Sequence, residues 1–105
     1  MTRTATALTV LAFSALSVTT VSAQPVVDFQ ARVWAASCAA CHGTGGRAST
    51  PTIPAIAGQD KAVLLQKLLA FKQGTLPATV MHQHAKGYTD AELERLAGHF
   101  AQQPR

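Results

Sequence analysis

Two cysteines and a histidine lie within five residues, in the segment Cys38-Ala39-Ala40-Cys41-His42. The spacing C-x-x-C-H is the signature of covalent c-type haem attachment. Two thiols on one helical turn can add to the two vinyl groups of a porphyrin, and the histidine that follows offers an imidazole nitrogen to the iron. The motif therefore predicts one haem c, attached by thioethers at Cys38 and Cys41, with His42 as an axial ligand.

Two other interpretations of the cysteine pair have less support. A zinc site usually needs four ligands with paired spacing, and the second half would have to come from His82, His84 or His99. A thioredoxin-like redox pair needs a β-α-β pattern around the cysteines, and the sequence contains none.

The second axial ligand can be argued from scarcity. The sequence has two methionines, Met1 and Met81, and Met1 is expected to leave with a signal peptide. Met81 lies in an irregular stretch just before the last predicted helix, so it is the best candidate ligand; the alternative is a methionine that fills a gap in the core. His82 and His84 are the competing ligands. Ligation by histidine and methionine raises the reduction potential relative to two histidines and leaves no open position on the iron.

The first residues predict an export signal. Arg3 precedes an apolar run, and Val21-Ser22-Ala23 places small residues at the positions that a signal peptidase reads. We therefore expect residues 1–23 to be a signal peptide and 24–105 a periplasmic monohaem domain. The apolar run is too short to span a bilayer comfortably, so no stable membrane insertion is expected after cleavage.

Charge and length exclude some classes. The formal net charge is only +4 and the basic residues are scattered, which does not favour nucleic-acid binding. A chain of 105 residues allows one domain with a modest core, and a buried porphyrin would supply apolar contact that such a small domain lacks.

The local patterns predict an all-α fold with three main helices and two long loops. The expected helices cover 29–40, capped by Asp28, then 60–73, and then a segment that begins at Thr89 and ends near residue 103. Thr89 and Glu92 form the pattern of a capping box. The intervening stretches 43–58 and 75–88 are expected to be irregular, because they are rich in glycine and proline or lack helical periodicity.

Further residues are candidates for the haem surroundings. Pro54 follows His42 by twelve residues, and its carbonyl could accept a hydrogen bond from the His42 ring, although a simple turn proline is an equal alternative. Ile56 and Leu68 are candidate pocket walls or ordinary core residues.

The order of these motifs resembles that of a known family. The segments that carry the resemblance are Cys38–Gly43, Ile53–Gln59, Phe71–Gly74, Val80-Met81 and the helix that begins at Thr89, and together they look like a class I cytochrome c. The resemblance implies that Met81 is an axial ligand and that the Pro54 carbonyl accepts the hydrogen bond from His42. It also implies a close crossing of the first and last helices, with Ala31 in place of the usual small glycine and Gly98 easing the crossing from the other side. Within the class, the stretches 59–74 and 81–89 look most like the cytochrome subunit of flavocytochrome c sulfide dehydrogenase.

The resemblance implies an electron carrier without bond chemistry of its own. We expect a periplasmic cytochrome that accepts electrons from a flavoprotein sulfide dehydrogenase subunit. The alternative is a free monohaem cytochrome that shuttles electrons between a respiratory dehydrogenase or reductase and a terminal oxidase. A haem enzyme with an open sixth position and a zinc-binding module without haem are the hypotheses from other classes.

Overall fold

A computed structural model describes Ser22 and residues 26–48 and 50–105. The predicted signal peptide at 1–23 lies outside the described residues except for Ser22. That boundary stays a prediction.

The described chain is built from four α-helices. They are α1 (Phe29–His42), α2 (Lys61–Gln73), α3 (Met81–Lys86) and α4 (Asp90–Ala101), with one 3₁₀ turn at Thr44–Gly46. No strand occurs in the part of the chain that the structure describes. The predicted all-α class is confirmed, and the arrangement agrees with a class I cytochrome c fold.

The first helix begins where the sequence predicts and ends later. Asp28 is its N-cap, and the carboxylate accepts a hydrogen bond of 3.0 Å from the Ala31 backbone N–H. The helix continues through His42, two residues beyond the predicted end, and stops at Gly43, whose φ of 78° lies in the left-handed region that favours glycine. All three residues of the haem-binding motif therefore lie in the last turn of α1.

Capping side chains also define the other two long helices. The Asp60 carboxylate accepts hydrogen bonds from the first turn of α2, which ends at Gly74 in the left-handed conformation. Both hydrogen bonds of the predicted capping box are present at α4: the Glu92 N–H donates to Thr89 Oγ1, and the Thr89 N–H donates to Glu92 Oε2.

The short helix α3 lies in the stretch that was predicted to be irregular. It has six residues, no side-chain cap and a polar sequence, so neither periodicity nor capping predicts it. It packs against α2 and buries Ala85 almost completely. Tertiary packing therefore stabilises a helix that is too short to be stable by itself. Met81 is the first residue of this helix, not a loop residue as predicted.

The core lies between α1, α2 and α4. The apolar face of α4 is buried, and it packs on one alanine of α1 and one leucine of α2. The whole cluster comprises Ala35, Leu64, Leu93, Leu96, Ala97 and Phe100. Most of the apolar face of α2 is only half-buried, including Leu65, Leu68 and Leu69. This protein core is small, as the length of the chain implies.

Alanines allow α1 and α4 to pack closely. Ala31 on α1 and Ala97 on α4 are completely buried. The expectation that Gly98 eases this crossing is wrong: a Cβ built on Gly98 would meet only the Lys61 side chain, at ordinary contact distances of 3.7–3.8 Å. The helical rotation of about 100° between neighbouring residues turns Gly98 toward Lys61, whereas Ala97 is the completely buried residue of α4.

A polar and aromatic contact joins the start of α1 to α4. Arg95 donates two hydrogen bonds to the Asp28 carboxylate, at 2.7 and 2.6 Å, and its guanidinium lies 4.7 Å from the centre of the Trp34 ring. Tyr88 meets the same ring edge-on at 6.2 Å and lies 3.1 Å from the Ser37 hydroxyl. Trp34 therefore packs between α1 and α4, against Arg95.

The close approach at Gly46 predicts a specific loss of stability. Gly46 has φ of 84°, and a Cβ there would lie 2.8 Å from Ile56 Cγ1 and 2.9 Å from Phe100 Cδ1. We expect Gly46→Ala to lower the free energy of unfolding by about 2–4 kcal/mol, through the left-handed backbone and overpacking together. Gly74→Ala is the control, since Gly74 has a similar φ of 76° and no atom within 4 Å. Denaturant unfolding of both variants measures the difference, and equal losses would contradict the packing explanation.

The Asp28–Arg95 pair predicts a pH dependence. The hydrogen bond from Arg95 is the main cause that holds the pKa of Asp28 well below its ordinary value of 3.8, and the Ala31 N–H adds to it. Because the folded pKa is lowered, the stabilisation is complete above the ordinary pKa and is lost as the pH falls toward the folded value. Wild type should therefore be more stable than Asp28→Asn at pH 6, and the difference should shrink at pH 3. A difference that is constant across this range would contradict the contribution of the ion pair.

Candidate haem site

The cysteine pair lies on one turn at the end of α1. Cys38 is half-buried against the core and Cys41 is exposed, and both thiols are free. Burial raises the pKa of the Cys38 thiol, so this group stays protonated at neutral pH. Thioether formation adds an S–H across a vinyl double bond, so a free thiol is the form that such attachment consumes.

His42 is the one polar or charged residue that is buried in the described part of the chain, with 8% of its surface exposed. Its Nδ1 lies 2.8 Å from the Pro54 carbonyl oxygen. A carbonyl can only accept, so Nδ1 carries the proton and the lone pair of the imidazole is on Nε2. A histidine oriented in this way has a fixed ring and a free nitrogen, as an axial ligand requires.

The backbone around Pro54 is held by hydrogen bonds from two other segments. The Gly46 carbonyl accepts from the backbone N–H groups of Ile56 at 2.8 Å and Ala57 at 3.1 Å. The Gly58 N–H donates to the Phe100 carbonyl at 2.9 Å. The long loop is therefore fixed to the 3₁₀ turn and to the end of α4, and this fixes the carbonyl that contacts His42.

Gln59 adds a side-chain contact to this loop, and sequence reasoning gave it no role. Its Nε2 donates a hydrogen bond to the Ala55 carbonyl, one residue after Pro54. The amide closes the turn that carries the Pro54 carbonyl. The only signal in the sequence is the position of Gln59 between Gly58 and the cap of α2, and that position does not specify a partner.

Met81 is a half-buried residue at the start of α3. Residues four apart share a face of a helix, so Met81 lies above Ala85, of which only 1% is exposed. His82 shares its face with the exposed Lys86, and His84 is itself exposed. Met81 and His82 are both half-buried and both lie one turn before Ala85, so of the three candidate ligands helix geometry disfavours only the exposed His84.

The two apolar wall candidates, Ile56 and Leu68, are half-buried and pack against the core cluster. Each therefore contacts the core while part of its side chain stays accessible. The structure does not separate a pocket wall from an ordinary core residue at either position. Both assignments stay predictions.

The zinc interpretation finds no support in the geometry. In the described residues, which include every histidine, cysteine, aspartate and glutamate of the chain, no three such side chains are grouped as a metal site. The residues instead fit a haem: an imidazole with a fixed tautomer directly after two free thiols, and a half-buried thioether on α3.

Comparison with known proteins decides the family. The family model described as cytochrome c oxidase, cbb3-type, subunit III matches residues 27–99. The chain belongs to the c-type cytochromes. Proteins of this family bind haem and carry electrons, and this cytochrome is accordingly an electron carrier and not a catalytic subunit.

Individual relatives show which c-type cytochromes this chain resembles. It is 40% identical over 77 residues to the cytochrome subunit of sulfide dehydrogenase from Chlorobaculum tepidum, which covers 73% of this chain and 69% of that protein. It is 35% identical over 69 residues to cytochrome c4 from Pseudomonas aeruginosa, covering 66% and 34%. It is 36% identical over 67 residues to the thiosulfate dehydrogenase electron acceptor of Stutzerimonas stutzeri, covering 61% and 31%. The cytochrome thus spans most of the first relative but about a third of the other two.

In the part of the chain that the structure describes, no helix is long and apolar enough to cross a membrane.

The Gln59 contact generates a prediction. Gln59→Leu removes the hydrogen bond to the Ala55 carbonyl and should loosen the turn that holds Pro54. We expect a loss of about 1 kcal/mol in the free energy of unfolding and faster hydrogen exchange of the His42 Nδ1 proton. Gln73→Leu, at the exposed end of α2, is the matched control. Unchanged exchange at His42 in Gln59→Leu would contradict this positioning role.

Proposed function

We propose that this cytochrome holds a single haem c through thioethers at Cys38 and Cys41, with His42 and Met81 as axial ligands. The observation that carries the proposal is the buried His42, which directly follows the cysteine pair and bonds the Pro54 carbonyl at 2.8 Å. Met81 is supported by its half-buried position on α3 and by being the only methionine besides Met1.

The residues of this chain set the properties of the haem. The bound haem supplies one-electron chemistry between the ferric and ferrous states. The Pro54 carbonyl makes the His42 imidazole a stronger donor, which favours the ferric state. The Met81 thioether has the opposite effect and raises the potential. Ile56 and Leu68 would keep water from the ring, and with His42 and Met81 both bound to the iron the protein would transfer electrons without binding a substrate.

The proposed partner is a flavoprotein sulfide dehydrogenase subunit in the periplasm. Support comes from the 40% identity to the cytochrome subunit of sulfide dehydrogenase and from the extent of that match. Sulfide is oxidised on the flavoprotein, and the cytochrome accepts the electrons one at a time. Residues 1–23 direct export and are removed.

A free carrier is the second candidate. It is supported by the 36% identity to a protein whose name is thiosulfate dehydrogenase electron acceptor. In that case the cytochrome accepts electrons in transient encounters and passes them to a terminal oxidase. Purification after gentle lysis separates the candidates: a stable complex with a flavoprotein supports the first, and a monomer without a partner supports the second.

Haem attachment and ligation have a direct test. The exported wild-type protein should retain haem after acid–acetone extraction and give the pyridine haemochrome spectrum of a c-type haem, whereas Cys38→Ala/Cys41→Ala should release it. The reduced wild type should not bind carbon monoxide, while Met81→Ala should bind it, because a thioether ligand no longer fills the sixth position. His82→Ala and His84→Ala are the controls and should behave as wild type. Ready binding of carbon monoxide by wild type would refute Met81 as the ligand.

A further inference from the structure

A groove of about 960 Å³ runs along the seam between α1 and α4, on residues that the proposed haem site does not use. Its walls come from the segment before α1, from one face each of α1 and α4, and from the turn after α1. None of the proposed haem-binding residues Cys38, Cys41, His42 and Met81 lines it. Within the segment from Cys38 to His42, only Ala39 lines the groove.

The carboxylates in the groove are already neutralised by neighbours. Asp28 is held by Arg95, and Glu94 forms an ion pair of 2.8 Å with Lys61. Asp28 and Glu94 are the two acidic residues that line the groove, so these ion pairs neutralise all its negative charge. The remaining charged residues of the lining are Arg32 and Arg47, both exposed and neither in an ion pair.

No other acidic side chain is left to neutralise these two arginines. All five acidic side chains lie in the described residues. Outside the groove, Asp60 caps α2, Asp90 pairs with Lys72 at 2.7 Å, and Glu92 closes the capping box of α4. The groove thus carries an excess of two positive charges that the fold does not compensate.

The two guanidinium groups come from different elements, with a half-buried histidine near one of them. Arg47 lies over Gly45, with its Cζ 3.9 Å from where a Gly45 Cβ would be. Arg32 comes from α1. Burial is the main cause that lowers the pKa of His99, and the positive charge of Arg32 is the second. This ring therefore stays neutral at neutral pH. His99 is thus half-buried and adds no charge to the groove.

The volume and the edges of the groove favour a polypeptide over a single small anion. One carboxylate would fill a small part of about 960 Å³. Val26 and Val27, with 95% and 70% of their surfaces exposed, also line the groove and offer apolar contact. Arginine side chains at separate points of the groove can each form a bidentate pair with a carboxylate.

We propose that the α1–α4 groove binds an acidic segment of a partner protein, with Arg32 and Arg47 as its two anchors. A segment with two acidic side chains and an apolar residue at one end matches the charges and the exposed valines. Such a contact would hold a partner on one side of the cytochrome while electrons pass at another. The inference does not depend on which protein donates the electrons.

The test uses the haem-loaded cytochrome and a fluorescently labelled peptide of alternating glutamate and leucine at low ionic strength. Arg32→Gln/Arg47→Gln should weaken binding at least about tenfold, because both carboxylate pairs are lost. Lys67→Gln/Lys86→Gln is the matched control, since it removes the same net charge from exposed positions outside the groove, and it should change the affinity less than about twofold. Unchanged haem absorption spectra confirm that the variants are folded.

Equal weakening in the two double variants would overturn the proposal, because it would show attraction by net charge alone. Chemical shift changes in the reduced protein provide a second readout and should concentrate on Arg32, Gly98 and His99 when the peptide is added. Displacement of the peptide by free acetate at the same carboxylate concentration would also overturn the proposal, since a small anion would then account for the binding.

Discussion

The hydrogen bond between His42 Nδ1 and the Pro54 carbonyl is the contact on which the proposed haem site depends. It joins the end of α1 to a loop twelve residues later, and it fixes which imidazole nitrogen is free. Much of the irregular structure serves this contact: Gly46 anchors the loop on one side, Phe100 anchors it on the other, and Gln59 closes the turn. These hydrogen bonds give the loop a fixed conformation although it has no regular secondary structure.

The protein core is small, and the ends of the helices are unusually well specified. Asp28, Asp60 and Thr89 cap the three long helices with side-chain hydrogen bonds, and Arg95 ties the first cap to the last helix. These local contacts fix helix boundaries without requiring a large core. The half-buried apolar side chains of α2 fit the same picture, because a bound porphyrin would complete the burial that the polypeptide leaves unfinished.

Charged side chains distinguish two surfaces of the molecule. Every acidic side chain is engaged in a cap or an ion pair within the fold, while Arg32 and Arg47 remain without one. The proposed haem site is formed by the end of α1, the Pro54 loop and α3, whereas the groove lies along α1 and α4. A carrier with two such surfaces can hold a partner and exchange electrons at the same time.

The sequence by itself determined the helix class, the caps and the haem-binding motif, since each depends on residues within a few positions of one another. It also indicated the Pro54 contact, although spacing alone left a turn proline as an equal alternative until the family resemblance favoured the carbonyl. Only the tertiary structure decided that Met81 begins a helix, because α3 is stabilised by packing on α2 and not by its own sequence. The same holds for the contact of Gln59, the place of Ala97 at the helix crossing and the uncompensated arginines, since these depend on which segments the fold brings together.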